Sequence, residues 1–145
     1  MRTFIHKLVA ICFISLVSAG CSDSTTVDIT EKFLIDTGFK AEVDYIEKQR
    51  KASWLIAEIT AVEKEEIVSL IDRTVSETRS TVRNQIKGLY SDDELEEALR
   101  DKSSAKYKII KNEFTKITQD QTEELNSTIE VGISDIRYRY GCCIQ

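Results

Sequence analysis

Apolar side chains recur at three- to four-residue spacing through most of this chain, and single Gly or Ser residues mark the few interruptions. That spacing lays one face of a helix against a core. A short first helix is predicted after Thr30, ending near Thr37, with Gly38 as its left-handed cap. From 40 to 87 there is neither Gly nor Pro. Val43, Ile46, Ile56, Ile59, Val62, Leu70, Val82, Ile86 and Leu89 supply the apolar face predicted there. As one helix this stretch would run about 72 Å, long for a small globule. A bend near 49–53 or 63–66 is therefore expected, which leaves open whether 40–87 is one helix or two. Gly88 is the expected stop.

The next start is the clearest local signal. Ser91-Asp92-Asp93-Glu94 spells a capping box, with Tyr90 and Leu95 placed as a hydrophobic staple, and its acids favour the positive end of a helix. That helix is predicted to reach about Asp101 and to pause at Lys102-Ser103-Ser104. A last long helix then covers roughly 105–137, with Ile110, Phe114, Ile117, Leu125, Ile129, Ile133 and Ile136 on its buried face. Some alternation over 129–140 admits a terminal strand as the lesser reading. The expected fold is all-α, a small helical bundle or long helical hairpin behind a cleaved signal peptide.

Composition agrees. The 145 residues include no Pro and five Gly, with 41% hydrophobic and 31% charged side chains, the profile of one globular, helix-rich domain. A net charge of −5 argues against nucleic acid as a partner, because phosphate binding needs a basic face.

The first residues change the picture more. Arg2 and Lys7 precede an uncharged run, Leu-Val-Ala-Ile-Cys-Phe-Ile-Ser-Leu-Val, and then Ser18-Ala19-Gly20-Cys21. A basic start, a short apolar run and small residues make a secretory signal, and the run is too short to span a bilayer, which takes roughly 20 apolar residues. The end of this segment resembles the lipobox of bacterial lipoproteins, although Ser18 stands where that pattern usually has Leu. The resemblance implies that the Cys21 thiol is acylated, palmitate included, and becomes the new N-terminus. It also implies the outer membrane, facing the periplasm, because Ser22 rather than Asp follows the cysteine. Several acyl chains anchor stably, each buried CH₂ contributing about 0.8 kcal/mol. The expected organisation is a signal peptide over 1–20, a lipidated tether over 21–29 and a helical domain over 30–145.

A second likeness lies further on. Tyr90-Ser91-Asp92-Asp93-Glu94-Leu95 is similar to the [FY]-[ST]-x-x-E-L signature of a family of short exported helical bacterial proteins of unknown function. The family's following segment agrees here only at Ser103 and Lys108. This likeness implies a helical fold and export, and no activity.

Cleavage would leave little catalytic chemistry. His6, the only His, departs with the leader, as does Cys12, and loss of Arg2 and Lys7 takes the net charge from −5 to −7. Cys142 and Cys143 are adjacent, and neighbours bridge only with strain, so pairing with another chain or no bond at all is expected. No spacing suggests a zinc or iron–sulfur site, and neither metal nor cofactor is expected. Cys142-Cys143-Ile144-Gln145 also fits a prenylation signal, and Asn126-Ser127-Thr128 a glycosylation acceptor. An exported bacterial protein meets neither enzyme.

Glu63, Glu65 and Glu66, and likewise Asp92, Asp93, Glu94, Glu96 and Glu97, read as solvated faces rather than acid/base pairs. Trp54, the only Trp, either fills the core or anchors an interface. Tyr138 and Tyr140 form a second contact candidate or cover the end of the last helix. The sequence thus points to a non-enzymatic lipoprotein held in the bilayer through Cys21, with a protein partner engaged through Trp54, Tyr138 and Tyr140. Envelope maintenance, inhibition or immunity, and exclusion all fit that description. The alternative is a cell-envelope hydrolase working with carboxylates alone.

Overall fold

The structure, a computed structural model, describes residues 28–141. The predicted signal peptide, Cys21, the tether up to 27, and Cys142 and Cys143 lie outside the described residues. Five helices account for nearly all of what is described, with no strand among these residues: α1 (Ile29–Asp36), α2 (Phe39–Leu55), α3 (Ala61–Leu89), α4 (Asp92–Arg100) and α5 (Ala105–Gly141). The chain is an all-α bundle, as its periodicity predicts. No described helix is long and apolar enough to cross a membrane.

The antiparallel pair α3–α5 is the spine. Ile67, Ile71, Val75, Val82 and Ile86 on α3 meet Ile110, Phe114, Leu125, Ile129, Ile133 and Ile136 on α5, all buried. Burial of each such side chain contributes about 1.5–3 kcal/mol. Four threonines, Thr74, Thr78, Thr118 and Thr122, interrupt this seam near its middle. Thr74 and Thr122 donate their hydroxyls to the carbonyls of Leu70 and Thr118, at 2.8 and 2.7 Å. Thr118 donates to Thr115 at 3.0 Å. These local bonds let polar side chains occupy a buried layer.

At one end of the spine, α1 packs through Phe33, whose ring centroid lies 5.2 Å from that of Phe114 and 6.0 Å from that of Tyr107. Asp28 caps α1 by accepting from the Thr30 amide at 2.9 Å. It also accepts from Arg83 and Lys87 near the far end of α3, each at 2.6 Å. Asp28 and Ile29, assigned to the tether on sequence, therefore already belong to the bundle. Lys87, and next to it Arg83, hold the Asp28 carboxyl well below the usual carboxylate range. Gly38, at φ +85°, makes the left-handed turn from α1 into α2 that its sequence position predicts.

The chain departs from expectation between α2 and α3. The stretch 40–87 is two helices, and the break lies at 56–60, outside both segments where a bend was expected. Thr60 accepts from the Glu63 amide at 3.2 Å and caps α3. Thr60-Ala61-Val62-Glu63 has the same sequence spacing as Ser91–Glu94, and the Thr60 half of that pattern starts α3 after the break. Reading one continuous apolar face across the break misassigned its neighbours. Ile56 is 85% exposed and Val62 57%, and Leu89 is exposed at the end of α3. Val43 is buried as expected, while Ile46, Ile59, Leu70 and Ile117 are half-buried.

At α4 the box closes fully. Glu94 accepts from the Ser91 amide at 2.9 Å and from its hydroxyl at 2.8 Å, while the Glu94 amide donates back to Ser91. The last helix runs through Gly132 and past 137 to Gly141, so the alternation over 129–140 is helical. At Gly132 α5 packs closely on the Leu70 side chain of α3: a Cβ there would stand 2.6 Å from Leu70 Cδ2.

Candidate functional site

The last turn of α2, the 56–60 connection, the first turn of α3 and the last turns of α5 converge at one end of the bundle. The opposite end holds Asp28, α1 and α4. Trp54 closes α2 half-buried against the core, so the indole is neither a full core residue nor a free one. The guanidinium of Arg137 lies over it, 5.6 Å from the ring centroid. Around this stack opens a groove of about 540 Å³, lined by Arg50, Trp54, Glu130, Ile133, Arg137 and Tyr138. Tyr138 is 73% exposed on its rim. Arg50 donates to Asn126 Oδ1 at 3.0 Å and to Glu130 Oε1 at 2.8 Å, bracing α2 on α5. Asn126, in the glycosylation-like triplet, is thus part of the packing between helices.

Two of the three predicted contact residues therefore share one groove. The third, Tyr140, lies on the other side of Arg137, where a wider cleft of about 800 Å³ runs between the 56–60 connection and the end of α5. Its hydroxyl donates to Glu66 Oε1 at 2.7 Å, and Arg139 donates to Glu66 Oε2 at 2.9 Å. Tyr140's hydrogen bond holds the Glu66 carboxyl below its usual range, assisted by Arg139. The same hydrogen bond, together with burial, raises the Tyr140 phenol. Tyr140 is a clasp between α5 and α3 with one face on the cleft.

Glu63 corrects the sequence reading. It was assigned to a solvated acidic face with Glu65 and Glu66, yet it is 6% exposed. Arg137 Nε, at 3.7 Å from Oε1, is its ion-pair partner. The run from Asp92 to Glu97 does lie on the surface, Leu95 excepted. Glu63 and Arg137 are the residues that sequence reasoning missed. The Thr60-x-x-Glu63 spacing was the available signal for the first, and nothing in the sequence linked Arg137 to Trp54 or Glu63.

The end of the bundle combines aromatic rings, guanidinium groups and exposed aliphatic side chains, Leu55 and Ile56 among them. Such a surface suits contact with another macromolecule. Among the described residues no group of three His, Cys, Asp or Glu side chains is placed to hold a metal ion. Compared with known protein families, curated proteins and solved structures, the chain matches none.

Proposed function

We propose that this protein is a lipoprotein, anchored by acylated Cys21 in the outer membrane and facing the periplasm, whose helical domain binds a protein partner and catalyses no reaction. One observation carries the binding part of this reading. Trp54 and Tyr138, distant in sequence, line a single groove at the end of the bundle remote from Asp28, beside the exposed Leu55 and Ile56. Aromatic and arginine side chains that flank exposed aliphatic ones form the usual centre of a protein-binding surface. The membrane part is supported by the sequence from Arg2 to Cys21.

Two experiments test it. The intact mass of protein from the membrane fraction of a bacterial host should correspond to residues 21–145 plus a triacyl modification. A full-length mass, or a cleaved chain without lipid, overturns the anchor. A photo-crosslinking side chain at 138 should capture a defined periplasmic or envelope protein, whereas one at 109, exposed near the opposite end of α5, should not. Trp54→Ala should abolish capture with the fold intact, and equal capture from 109 and 138 overturns the binding surface.

A further inference from the structure

The N-caps of α3 and α4 use the glutamate three residues on differently. At α4 the Glu94 carboxylate is consumed by its own box, accepting from Ser91 twice. At α3 the Glu63 side chain, only 8% exposed, accepts no hydrogen bond from any described residue, and Arg137 Nε stays at 3.7 Å. A carboxylate has room for about four hydrogen bonds, and a buried one without them is costly. Glu63 is thus a mostly buried carboxylate held by the Arg137 ion pair and by no hydrogen bond from a described residue, and it borders the 800 Å³ cleft.

The rest of that cleft fits a cation carried on an apolar stem. Ala57, Ile59 and the Tyr140 ring give it a mainly apolar wall, along which methylene groups pack while a charged head reaches the carboxylate. Lys64 also borders it, but its ammonium donates to the Leu55 carbonyl at 3.1 Å and holds the 56–60 connection in place. Glu58 at the rim adds a second carboxylate beside the cations Lys64 and Arg137, and the net charge of the chain, −5, favours basic partners.

From this arrangement we infer that the cleft between the 56–60 connection and the end of α5 takes a lysine side chain of the partner protein, with Glu63 as the acceptor of its ammonium. The inference rests on the partner-binding reading above and names the chemistry of one contact within it. Arg137 is the resident cation that the incoming side chain displaces or joins.

The test uses the full chain in a detergent with a neutral headgroup, and the probe is the peptide acetyl-Ala-Lys-Ala-amide, followed by calorimetry and amide chemical shifts. Its norleucine counterpart and 1,5-diaminopentane serve as comparisons. The lysine peptide should bind saturably, with shifts concentrated at 57–64 and at 140, and the norleucine peptide should not. Glu63→Gln, similar in shape, should weaken binding about ten- to a hundredfold, as expected for a charged hydrogen bond in a partly dry site. Arg137→Gln removes the resident cation and should tighten it, an opposite sign that a purely structural role for Glu63 does not produce. Unchanged affinity in Glu63→Gln, or shifts spread over the 92–97 acidic surface, overturns the inference. Tighter binding of the diamine than of the peptide assigns the cleft to free amines and overturns the partner side chain as occupant. If partner capture from 138 is lost in Trp54→Ala but kept in Glu63→Gln, the lysine site falls and the partner-binding reading stands.

Discussion

The guanidinium of Arg137 rests on the indole of Trp54, 5.6 Å from its centroid, while its Nε faces Glu63 at 3.7 Å. One side chain from α5 thereby joins the end of α2 to the start of α3. A half-exposed cation–π pair is worth about 0.5–1 kcal/mol. A double-mutant cycle of Trp54→Ala and Arg137→Ala, read by chemical denaturation, should return a coupling of that size. Additive losses would show that the two residues act independently.

The break between α2 and α3 depends on the Thr60 cap. Thr60→Ala should cost about 1 kcal/mol, the usual worth of such a cap, in the midpoint of urea unfolding. Thr60→Ser should be close to neutral, because the hydroxyl that accepts from Glu63 is kept. A neutral Thr60→Ala would assign the break to packing instead.

Gly132 should show a change of sign. Alanine is favoured over glycine within a helix by about 1 kcal/mol, but its Cβ would collide with Leu70, and overpacking typically costs 1–3 kcal/mol. Gly132→Ala should therefore lower the melting temperature of the native sequence. In a Leu70→Ala background, where the obstruction is gone, the same substitution should raise it. A rise in both backgrounds would mean that Leu70 moves aside freely.

Asp28 makes stability depend on pH at the acid end. Its folded carboxyl is held below the usual range by Lys87 and Arg83, so its contribution is fully present above the ordinary carboxylate pKa of about 4. It is lost as pH falls from there toward the folded value. Asp28→Ala removes a cap and two ion pairs and should cost about 1–2 kcal/mol at pH 7. The gap between the two proteins should narrow steadily below about pH 4. A gap independent of pH would leave only the neutral cap at work.

Where structure follows from contacts between near neighbours, the sequence was readable. Gly38 needs φ > 0 whatever surrounds it, Ser91 and Glu94 are three residues apart, and the apolar face of α5 keeps its spacing on both sides of Thr118 and Thr122. The 56–60 break was equally local, yet Ile56, Ile59 and Val62 extended an apolar rhythm across it and masked the Thr60 signal. The exposure of Ile56 and Val62 follows from their place at the corner of the bundle, a tertiary fact that spacing does not carry. The site divides in the same way. Trp54 and Tyr138 stood out as residue types suited to contact, but their shared groove, the separation of Tyr140 from them and the burial of Glu63 all depend on how α5 crosses the ends of α2 and α3.

Asp28 is fastened near the far end of α3, and Thr60 caps its beginning. The intervening helix sets these points about 40 Å apart at 1.5 Å per residue. Leverage follows from that separation. A 10° tilt of the bundle about Asp28 sweeps the Trp54 end sideways by about 7 Å, on the order of the width of one helix. Under the anchorage proposed above, small rotations at the Asp28 end would become a large search radius at the Trp54 end, without any helix having to bend.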